Sequence, residues 1–479
     1  MPDHRRARAR SRASRRARRA GVVALAMTGV VAASATAVSA GASPGSPGLA
    51  VAPAAGSAEE IAADGYVYGY SPVAMARTRA GHVCKGGTNS LLNVPVLSTP
   101  ASRSVVAPNV DTLYSVAWLD LRGGPVRLAL PDTADRYVVF EMLDIYSNVF
   151  ANVGTRLNGS QPGAYLITPP GWSGTVPAGT TTIAAPSWDV WALGRTLVNG
   201  DGDLPAARAV QRQYTVAATG LGVTGPVPPA LPAVDCANPP DPQTPGDAGA
   251  AFFDELAAVL AADPPPAADG PALASLASIG VVPGSTPSTG DPATVAALAA
   301  GVTAGETEVQ AAAEDVLVPS GTWLGSFNGG VYGTDYLLRS AVAVVGLGAN
   351  VPQEALYYWS GPDADGEPLT GGHTYRMHIA AGELPPVEAA GFWSVTMYDE
   401  EMFLVPNPLR RYALGDRSDL AVNPDGSIDL YLSATAPEGH LSNWLPAPDG
   451  PFNLMIRAYV PTESALANRW HPPAIEKIS

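Results

Sequence analysis

The spacing of hydrophobic residues changes twice along the chain, and this change restricts the fold more than any other feature. Up to about residue 198, apolar residues alternate with polar ones or form short β-branched runs, a pattern typical of strands. Residues 252–260 instead repeat apolar side chains every three or four positions, which predicts a helix. Beyond about residue 356 the alternation returns, with Tyr375 and Met377 on one face. The chain is therefore predicted to be mainly β with α, in the order β, α, β.

Glycine and proline support this prediction and mark its turns. The chain has 50 glycines and 47 prolines, an excess that belongs in the turns of a β-rich fold. Arg122–Pro125 separates two predicted strands, Thr112–Leu121 and Val126–Leu130, and therefore predicts a hairpin. Near the N-terminus, Pro72 should stop a short helix that covers Glu59–Tyr70.

Composition and hydrophobic spacing together predict that the chain divides into five parts. They are a signal peptide (1–40), a flexible tether (41–57), an N-terminal β-rich domain (58–224), a proline-rich connector with a helical segment (225–350) and a C-terminal β-sandwich domain (351–479). Within the helical segment, Asp291 followed by Pro292 predicts the start of a helix, because aspartate suits the cap and proline the first turn. Gly333–Leu347 predicts a further helix.

Two strand sequences occur in both β blocks, in the same order. Tyr137–Asp144 aligns without gaps with Phe392–Asp399, and both have a methionine two residues before the final aspartate. Trp191–Val198 likewise aligns with Asn453–Val460, and both have an arginine at the fifth position. Two explanations stay open at this point. The matches are either chance similarity between amphipathic strands, or the mark of two related β-sandwiches joined by the helical segment.

The first forty residues have the order of segments that is typical of a secretory signal peptide. Nine arginines and one acid, Asp3, lie in residues 1–20, followed by the apolar run Gly21–Ala33 and small residues up to Ala40. Export is therefore predicted, by the general secretory or the twin-arginine route. The remaining chain is more acidic than the whole, whose formal charge is −15, which argues against nucleic acid as a partner. No later run of eighteen apolar residues occurs, so no transmembrane segment is predicted in the mature chain.

The chain contains two cysteines, Cys84 and Cys236, both in the part predicted to be exported. In an oxidising compartment two cysteines form a disulfide more often than they remain free thiols. Both alternatives stay open, because nothing in the sequence brings the two positions together. Two cysteines at this separation do not form a zinc framework.

Polar residues at the ends of predicted strands are the first candidates for chemistry. Asp111 lies where a loop enters a strand, and it either caps the turn or acts as an acid, a base or a ligand. Asp144 ends an apolar strand, with Tyr146 and Asn148 on the same face. A carboxylate in such a place is costly unless it is paired, and Arg156 is a candidate partner. These residues are therefore either structural or part of a site.

The predicted helix at residues 333–347 has one polar face. Tyr332, Asp335, Tyr336 and Arg339 are spaced so that they fall on the same side of a helix. The aspartate and the arginine either form a solvated salt bridge, or the whole face closes a cleft between the two β domains.

Other motifs give little support for a metal or a cofactor, and none is predicted. No nucleophile elbow, Walker loop or dinucleotide-binding glycine pattern occurs in its proper context. Asn199–Asp203 and Asp363–Gly366 resemble calcium loops but do not complete them: the first has Val210 where the bidentate acid should be, and a hairpin turn explains the second better. His378 has no neighbouring histidine with which to bind a metal and is considered only as a substrate contact. Trp393 either belongs to a sugar-binding platform or packs in the core.

Long stretches of the chain resemble a known bacterial family. The stretches that resemble domain of unknown function 1254 are PNVDTLYSVAWLDL (108–121), DRYVVFEMLDIYSNVFANVGTR (135–156) and PGAYLITPPGW (162–172). Domain of unknown function 1214 is resembled by LPPVEAAGFWSVTMYD (384–399), NPDGSIDLYLS (423–433) and NWLPAPDGPFNLMIRAYVP (443–461), and YGTDYLLRSAVAVVGLGAN (332–350) is similar to the linker between the two. The resemblance implies two tandem β-sandwich, jelly-roll-like domains joined by a helical segment, often exported and without a settled reaction. It transfers no catalytic residue.

The leading functional hypothesis is an exported hydrolase with its cleft between the two β domains, acting on a glycan or a glycan-linked substrate. Asp144, Asp399 and Asp111 are the catalytic candidates, the first two as general acid and base. The candidates for substrate contact are Arg156, Tyr146, Asn148, Tyr336, Arg339, His378 and Trp393. The alternative is a non-catalytic envelope protein that binds carbohydrate, lipid or another protein. A third hypothesis, a metal-dependent enzyme, requires carboxylates from both blocks to meet.

Overall fold

The structure, a computed structural model, describes residues 56–103 and 106–479. The predicted signal peptide and the predicted tether up to residue 55 lie outside the described residues. Within the part of the chain that the structure describes, no helix has the length and apolar character needed to cross a bilayer.

Helices occur mainly at the start of the described chain and in its middle. They are α1 (Ala58–Gly86), α2 (Thr155–Asn158), α3 (Leu204–Gln211), α4 (Phe252–Ala262), α5 (Gly270–Ser278), α6 (Pro292–Glu314), α7 (Tyr336–Gly346) and α8 (Glu463–Leu466). Helices in the predicted helical segment are confirmed. As predicted, the Asp291 side chain caps α6 by accepting the N–H groups of Ala293 and Thr294. α7 begins at Tyr336, because the Asp335 side chain caps it by accepting the N–H of Leu338 at 3.0 Å.

The strands of the N-terminal region form two sheets. They are β1 (Leu92–Val94), β2 (Thr112–Asp120), β3 (Val126–Leu130), β4 (Val138–Asp144), β5 (Val149–Gly154), β6 (Gly163–Thr168), β7 (Thr181–Ala184), β8 (Asp189–Leu197) and β9 (Thr215–Ala218). The first sheet has the order β1-β2-β8-β4-β5 and the second the order β7-β6-β3-β9. One apolar cluster contains Leu119 and Phe140 from the first sheet with Leu128 and Ile167 from the second. The two sheets therefore share a core.

The predicted hairpin at Arg122–Pro125 is wrong, because the two strands it joins belong to different sheets. β2 pairs with β1 and β8, whereas β3 pairs with β6 and β9. The connection begins as a 3-10 turn at Leu121–Gly123, and Gly124 has a φ of 116°, which only glycine adopts readily. Arg122 holds this crossing in place through an ion pair with Asp189 at 2.8 Å. The glycines thus mark a change of sheet.

The strands of the C-terminal region form two further sheets. They are β10 (Val318–Ser320), β11 (Trp323–Gly325), β12 (Ala355–Ser360), β13 (Tyr375–Ile379), β14 (Val387–Asp399), β15 (Ala413–Gly415), β16 (Ile428–Ser433), β17 (Trp444–Pro446), β18 (Phe452–Pro461) and β19 (Ile475–Lys477). The third sheet has the order β10-β11-β12-β18-β14-β15 and the fourth the order β17-β16-β13-β19. Leu356 and Val395 from the third sheet pack in one cluster with Met377 and Leu430 from the fourth. The predicted combination of β-sheets with helices is confirmed.

The two sequence repeats occupy equivalent positions in the first and third sheets. β4 pairs with β8, and β14 pairs with β18, both antiparallel. Val138 lies opposite Thr196, and the residues aligned with them, Trp393 and Ala458, lie opposite each other. Because aligned residues pair with aligned residues, the agreement favours two related β regions over chance similarity.

α1 continues past Pro72, so the predicted end of this helix at Tyr70 is wrong. A proline has no N–H, and the carbonyl of Tyr68 therefore lacks its usual helical donor. Nη2 of Arg339, in α7, donates to this carbonyl at 2.7 Å instead. α1 is also buried among α4, α5, α6 and α7, whose apolar side chains form one cluster with it. This packing and the replacement hydrogen bond offset the cost of the proline.

Cys84 and Cys236 form a disulfide that spans 152 residues of sequence. It joins the last turn of α1 to the proline-rich connector. Arg77 of α1 holds the end of the same connector, because its Nη1 donates to the carbonyls of Asp241 and Thr244, each at 3.0 Å. The connector is thus attached to α1 at two places.

Candidate functional site

The first and third sheets contact each other through the faces that point away from their own cores. The rings of Tyr137 and Phe392 have centroids 5.2 Å apart, and Phe392 stacks on Tyr459 at 4.3 Å. Val139 and Ala355 belong to the same apolar cluster. Tyr137 and Phe392 are the first residues of the aligned repeats, so equivalent surfaces of the two β regions meet here.

A cavity of about 170 Å³ lies next to this contact. Its walls come from the loop before β2, from α7 and the segment that follows it, and from strands β12 and β18. Asn328 and Gly346 are exposed and lie at its mouth, whereas Met455 and Arg457 are buried at its base. The cavity is therefore built jointly by the two β regions and the helical segment.

Arg457 brings a buried positive charge to the cavity, since the residue is only 3% exposed. Its Nη1 donates to Oγ1 of Thr396 at 2.9 Å, and its Nη2 donates to the carbonyl of Ala107 at 2.8 Å and to the hydroxyl of Tyr398 at 2.7 Å. These bonds use three of the five N–H groups of a guanidinium. All three partners are neutral, and no carboxylate among the described residues forms an ion pair with it. A buried charge without a counter-ion is costly, so this group should attract an anion.

Two tyrosines bring hydroxyl groups to the same cavity. Tyr357 lies opposite Arg457 in the β12–β18 ladder, and Tyr114 lies opposite Arg195 in the β2–β8 ladder. Neither tyrosine hydroxyl has a hydrogen-bond partner in residues 56–103 and 106–479. Burial raises the pKa of Tyr357, so its hydroxyl keeps its proton at neutral pH. Two O–H donors are thus available to a ligand.

Arg195 is the counterpart of Arg457 in the first sheet, but it has an internal counter-ion. Its Nη1 donates to Oε2 of Glu141 at 2.5 Å, and both residues are buried. Its Nη2 donates to the carbonyl of Gly348, a residue of the cavity wall, at 3.4 Å. Burial raises the pKa of Glu141 to about 7, and the neighbouring guanidinium offsets that effect only in part. The ionised pair is neutral, so it supplies no counter-charge to Arg457.

The loop before β2 crosses from the N-terminal to the C-terminal region beside the cavity. Nδ2 of Asn109, which lines the cavity, donates to the hydroxyl of Tyr459 at 2.7 Å. The buried Asp111 accepts hydrogen bonds from Oγ of Ser394 at 2.7 Å and from Nη2 of Arg417 at 2.5 Å. Asp111, predicted to be a turn cap or a catalytic group, is therefore a contact between the two β regions.

The structure does not bring Asp144 and Asp399, the predicted acid and base, together. Oδ1 of Asp144 accepts the N–H of Asn148 at 2.8 Å, and Oδ1 of Asp399 accepts the N–H groups of Glu401 and Phe403 at 3.0 and 2.8 Å. Each carboxylate thus caps the turn that follows its own strand. Neither aspartate lines the cavity.

Replacing Asp144 with asparagine should alter how stability depends on pH. Burial raises the pKa of Asp144 from 3.8 to about 6, so the folded protein binds this proton more tightly than the unfolded chain. The wild type should therefore lose up to about 3 kcal/mol relative to Asp144→Asn as the pH rises from 4 to 7. An asparagine oxygen still accepts the Asn148 N–H and carries no charge. Denaturant unfolding of both proteins at several pH values measures this difference.

Asp291→Asn, at the exposed cap of α6, is a control for which the pH dependence of stability should have the opposite sign. A hydrogen bond from the Thr294 side chain lowers the pKa of Asp291, so its contribution to stability is lost as the pH falls. Parallel stability curves for the wild type and Asp144→Asn between pH 4 and 7 would contradict the prediction.

Arg156 does not hold Asp144 as predicted; its partner is Glu354, from the C-terminal region. Nε of Arg156 donates to Oε2 of Glu354 at 2.5 Å, and the hydroxyl of Tyr137 donates to Oε1 at 2.7 Å. The predicted substrate contact is therefore a second polar link between the two β regions.

The predicted polar face of α7 packs against α1 instead of closing a cleft. Arg339 is 1% exposed, donates to the carbonyl of Tyr68 and forms no ion pair with Asp335. Its guanidinium lies 5.1 Å from the ring centroid of Tyr336, whose hydroxyl donates to Oδ1 of Asp269 at 2.9 Å. These residues position α7, whose next turns form the cavity wall.

The remaining predicted substrate contacts lie away from the cavity. The hydroxyl of Tyr146 donates to the carbonyl of Asp263 at 2.6 Å. His378 is exposed on β13 and is bound through Nδ1 to Asp429 at 2.7 Å. Trp393 is buried in the core between the third and fourth sheets, which is the structural alternative that the sequence left open.

Comparison with known proteins identifies the family. Residues 88–218 match the family described as Protein of unknown function (DUF1254), and residues 354–463 match Protein of unknown function (DUF1214). No curated protein matches the chain. The solved structure of the VPA0106 protein from Vibrio parahaemolyticus is 24% identical, with a TM-score of 0.69, and the match covers 88% of this chain and 100% of that one. An uncharacterised protein from Burkholderia cenocepacia is 13% identical, with a TM-score of 0.41, over 87% of this chain and 88% of that one. The chain thus has the fold of the Vibrio protein, and it belongs to the family in which DUF1254 is followed by DUF1214.

Proposed function

We propose that the protein binds a small organic anion in the cavity between its two β regions. The observation that carries the proposal is Arg457, a buried guanidinium that lines the cavity without a carboxylate partner among the described residues. The hydroxyls of Tyr114 and Tyr357 add two donors at the same place. An anion bound there would receive charge-assisted hydrogen bonds, which are among the strongest in proteins.

The volume and the walls of the cavity limit the ligand. A cavity of about 170 Å³ is slightly larger than the roughly 150 Å³ that is enough to hold benzene. Leu317, Val342 and Val345 provide apolar surface in the cavity wall. A few polar groups in an otherwise apolar cavity are typical of sites for small molecules. The ligand that fits is a single ring or a short aliphatic chain with one anionic group.

Binding is supported better than hydrolysis by paired carboxylates. Among the described residues, no aspartate, glutamate or histidine lines the cavity. Asp144 and Asp399 cap separate turns, and Asp111 is occupied by Ser394 and Arg417. We therefore favour the binding protein over the hydrolase.

The proposal includes an exported, secreted or envelope location and a β-sandwich, jelly-roll-like arrangement of each pair of sheets. The disulfide between Cys84 and Cys236 supports export, because disulfides persist in oxidising compartments. The apolar clusters shared by the first and second sheets, and by the third and fourth, support the sandwich.

Benzoate is a suitable first probe, and its binding should depend on Arg457. We expect a Kd of about 1 mM or tighter for benzoate in the wild type, as for other ligands of this size. Arg457→Gln should weaken binding at least about 30-fold, because the loss of a buried charged partner costs roughly 2–5 kcal/mol. Tyr357→Phe should weaken it about three- to tenfold, through the loss of one hydrogen bond. Isothermal titration calorimetry measures all three.

Arg376→Gln is the matched control, because Arg376 is half-exposed on β13 and pairs with Glu476 at 2.6 Å, away from the cavity. This variant should bind benzoate like the wild type. Equal affinity in the wild type and in a folded Arg457→Gln variant would sink the proposal, as would equal binding of benzoate and neutral benzamide.

A further inference from the structure

The two arginines beside the cavity are equivalent residues of a duplicated half-site. Arg195 lies opposite Val139 in the β4–β8 ladder, and Arg457 lies opposite the aligned residue Ser394 in the β14–β18 ladder. Nη2 of each donates to a backbone carbonyl of the cavity wall, that of Gly348 in the first case and that of Ala107 in the second. Each arginine also has a tyrosine directly opposite it in the neighbouring strand. The two half-sites therefore hold their guanidinium groups in the same way.

The half-sites differ at two of the residues around the guanidinium: Arg457 also donates to Tyr398, whose aligned residue is Leu143, and the residue that accepts from Nη1 is different. In the first sheet this residue is Glu141, and in the third sheet the aligned residue is Thr396. Glu141 comes two residues after Val139, which lies opposite Arg195. Thr396 likewise comes two residues after Ser394, which lies opposite Arg457, so both are diagonal neighbours of their arginine. The first half-site thus contains its own carboxylate, and the second half-site has a neutral hydroxyl in the equivalent place.

The surroundings of Arg457 contain other charged groups, and none of their carboxylates is bonded to it. Asp111 is close enough to act electrostatically on Arg457, but its oxygens are bound to Ser394 and Arg417, and Arg417 also pairs with Asp416 at 2.6 Å. The ionised Arg195–Glu141 pair is neutral. No carboxylate is bonded to Arg457 itself, and a monoanion suits this place better than a dianion, which would add excess negative charge to a buried region that already contains Asp111.

We infer that the occupant of the cavity is a monocarboxylate, which supplies to Arg457 from outside the counter-ion that Glu141 supplies to Arg195 from within the chain. This inference rests on the proposed function and names the class of its ligand. The apolar part of the acid lies against Val342 and Val345, and its carboxylate accepts hydrogen bonds from the guanidinium and the tyrosine hydroxyls.

A panel of four probes tests the class of ligand on the purified protein by calorimetry: benzoate, hexanoate, phenyl phosphate and benzamide. We expect both carboxylates to bind at least about tenfold more tightly than phenyl phosphate, which is largely a dianion at pH 8, and benzamide to bind at least about 30-fold more weakly than benzoate. Tighter binding of phenyl phosphate, dependent on Arg457, would overturn this inference and leave the proposed function standing. If no anion binds, both are wrong.

An internal carboxylate placed at Thr396 should compete with the ligand. Thr396→Glu should weaken benzoate binding at least about 30-fold, because Arg457 then has the partner that Arg195 already has. Thr396→Gln has the size of the glutamate variant without its charge, so it should weaken benzoate binding at least about tenfold less than Thr396→Glu does. Equal loss in both variants, or in neither, would overturn the inference. If Thr396→Glu does not fold, as judged by its thermal melt and circular dichroism, the probe panel decides alone.

Discussion

Replacing both Cys84 and Cys236 with serine should lower the free energy of unfolding by up to about 5 kcal/mol. The disulfide closes a loop of 152 residues, and loop-closure entropy in the unfolded chain grows slowly with loop length to about this value. The loop contains the whole N-terminal β region together with the start of the connector, so the unfolded chain without the bridge gains freedom over about a third of its length. Denaturant unfolding of the oxidised protein and of the double variant measures the effect.

Reduction of the wild type by dithiothreitol should produce the same loss as the double substitution, which makes it the internal control. Coincident fluorescence and circular-dichroism transitions are needed for the comparison, because a free energy of unfolding is well defined only for a two-state transition. Stabilities within about 1 kcal/mol for oxidised, reduced and double-serine proteins would show that the loop-closure explanation is wrong.

Replacing Asp111 with alanine should cost about 3–5 kcal/mol and separate the unfolding of the two β regions. The aspartate is 4% exposed, and its two oxygens accept hydrogen bonds from Ser394 and Arg417, both in the C-terminal region. Without the Asp111 carboxylate, the hydroxyl of Ser394 and an N–H of Arg417 lose their hydrogen-bond acceptor at a buried contact. Calorimetry should show a lower first transition, and the two regions should then melt at different temperatures.

Asp111→Asn separates charge from hydrogen bonding. Its amide oxygen still accepts from Ser394, so this variant should lose less stability than Asp111→Ala. The surface pair Arg376–Glu476 provides the comparison, since Glu476→Gln removes an ion pair whose partners are 39% and 46% exposed and should cost less than about 1 kcal/mol. A loss for Asp111→Ala no larger than that for Glu476→Gln would contradict the assignment of Asp111 as a buried link.

The order of elements could be predicted from the sequence because periodicity is a local property. Alternation at Tyr375, Met377 and Ile379 reports directly which face of β13 is buried. The exceptions arose where tertiary contacts override a local rule. Pro72 does not end α1, since a residue 267 positions later donates the hydrogen bond that replaces the missing one. Arg122–Pro125 has the composition of a hairpin turn, yet pairing with other strands draws its two flanking strands into separate sheets.

The candidate site was harder to predict than the fold, because its residues become neighbours only when the two β regions meet. Aspartates at strand ends attract attention in a sequence, but Asp144 and Asp399 are occupied by the N–H groups of their own turns. Arg457 was missed, since an arginine in an apolar strand resembles an isolated irregularity. The useful signal was its alignment with Arg195 in the repeat, because two related halves that retain the same buried charge point to a shared purpose.

The proline in α1 has a mechanical consequence for the cavity. Pro72 leaves the carbonyl of Tyr68 without a helical donor, and Arg339 of α7 donates to this carbonyl instead. One turn after Arg339, Val342 and Val345 of α7 line the cavity. The far end of α1 is anchored by Cys84 to the connector. Through Arg339, α1 therefore fixes the position of this part of the cavity wall, and α1 is itself held by the disulfide. The position of Val342 and Val345, and with it the width of the cavity, thus depends on a helix that contributes no residue of its own to the cavity lining.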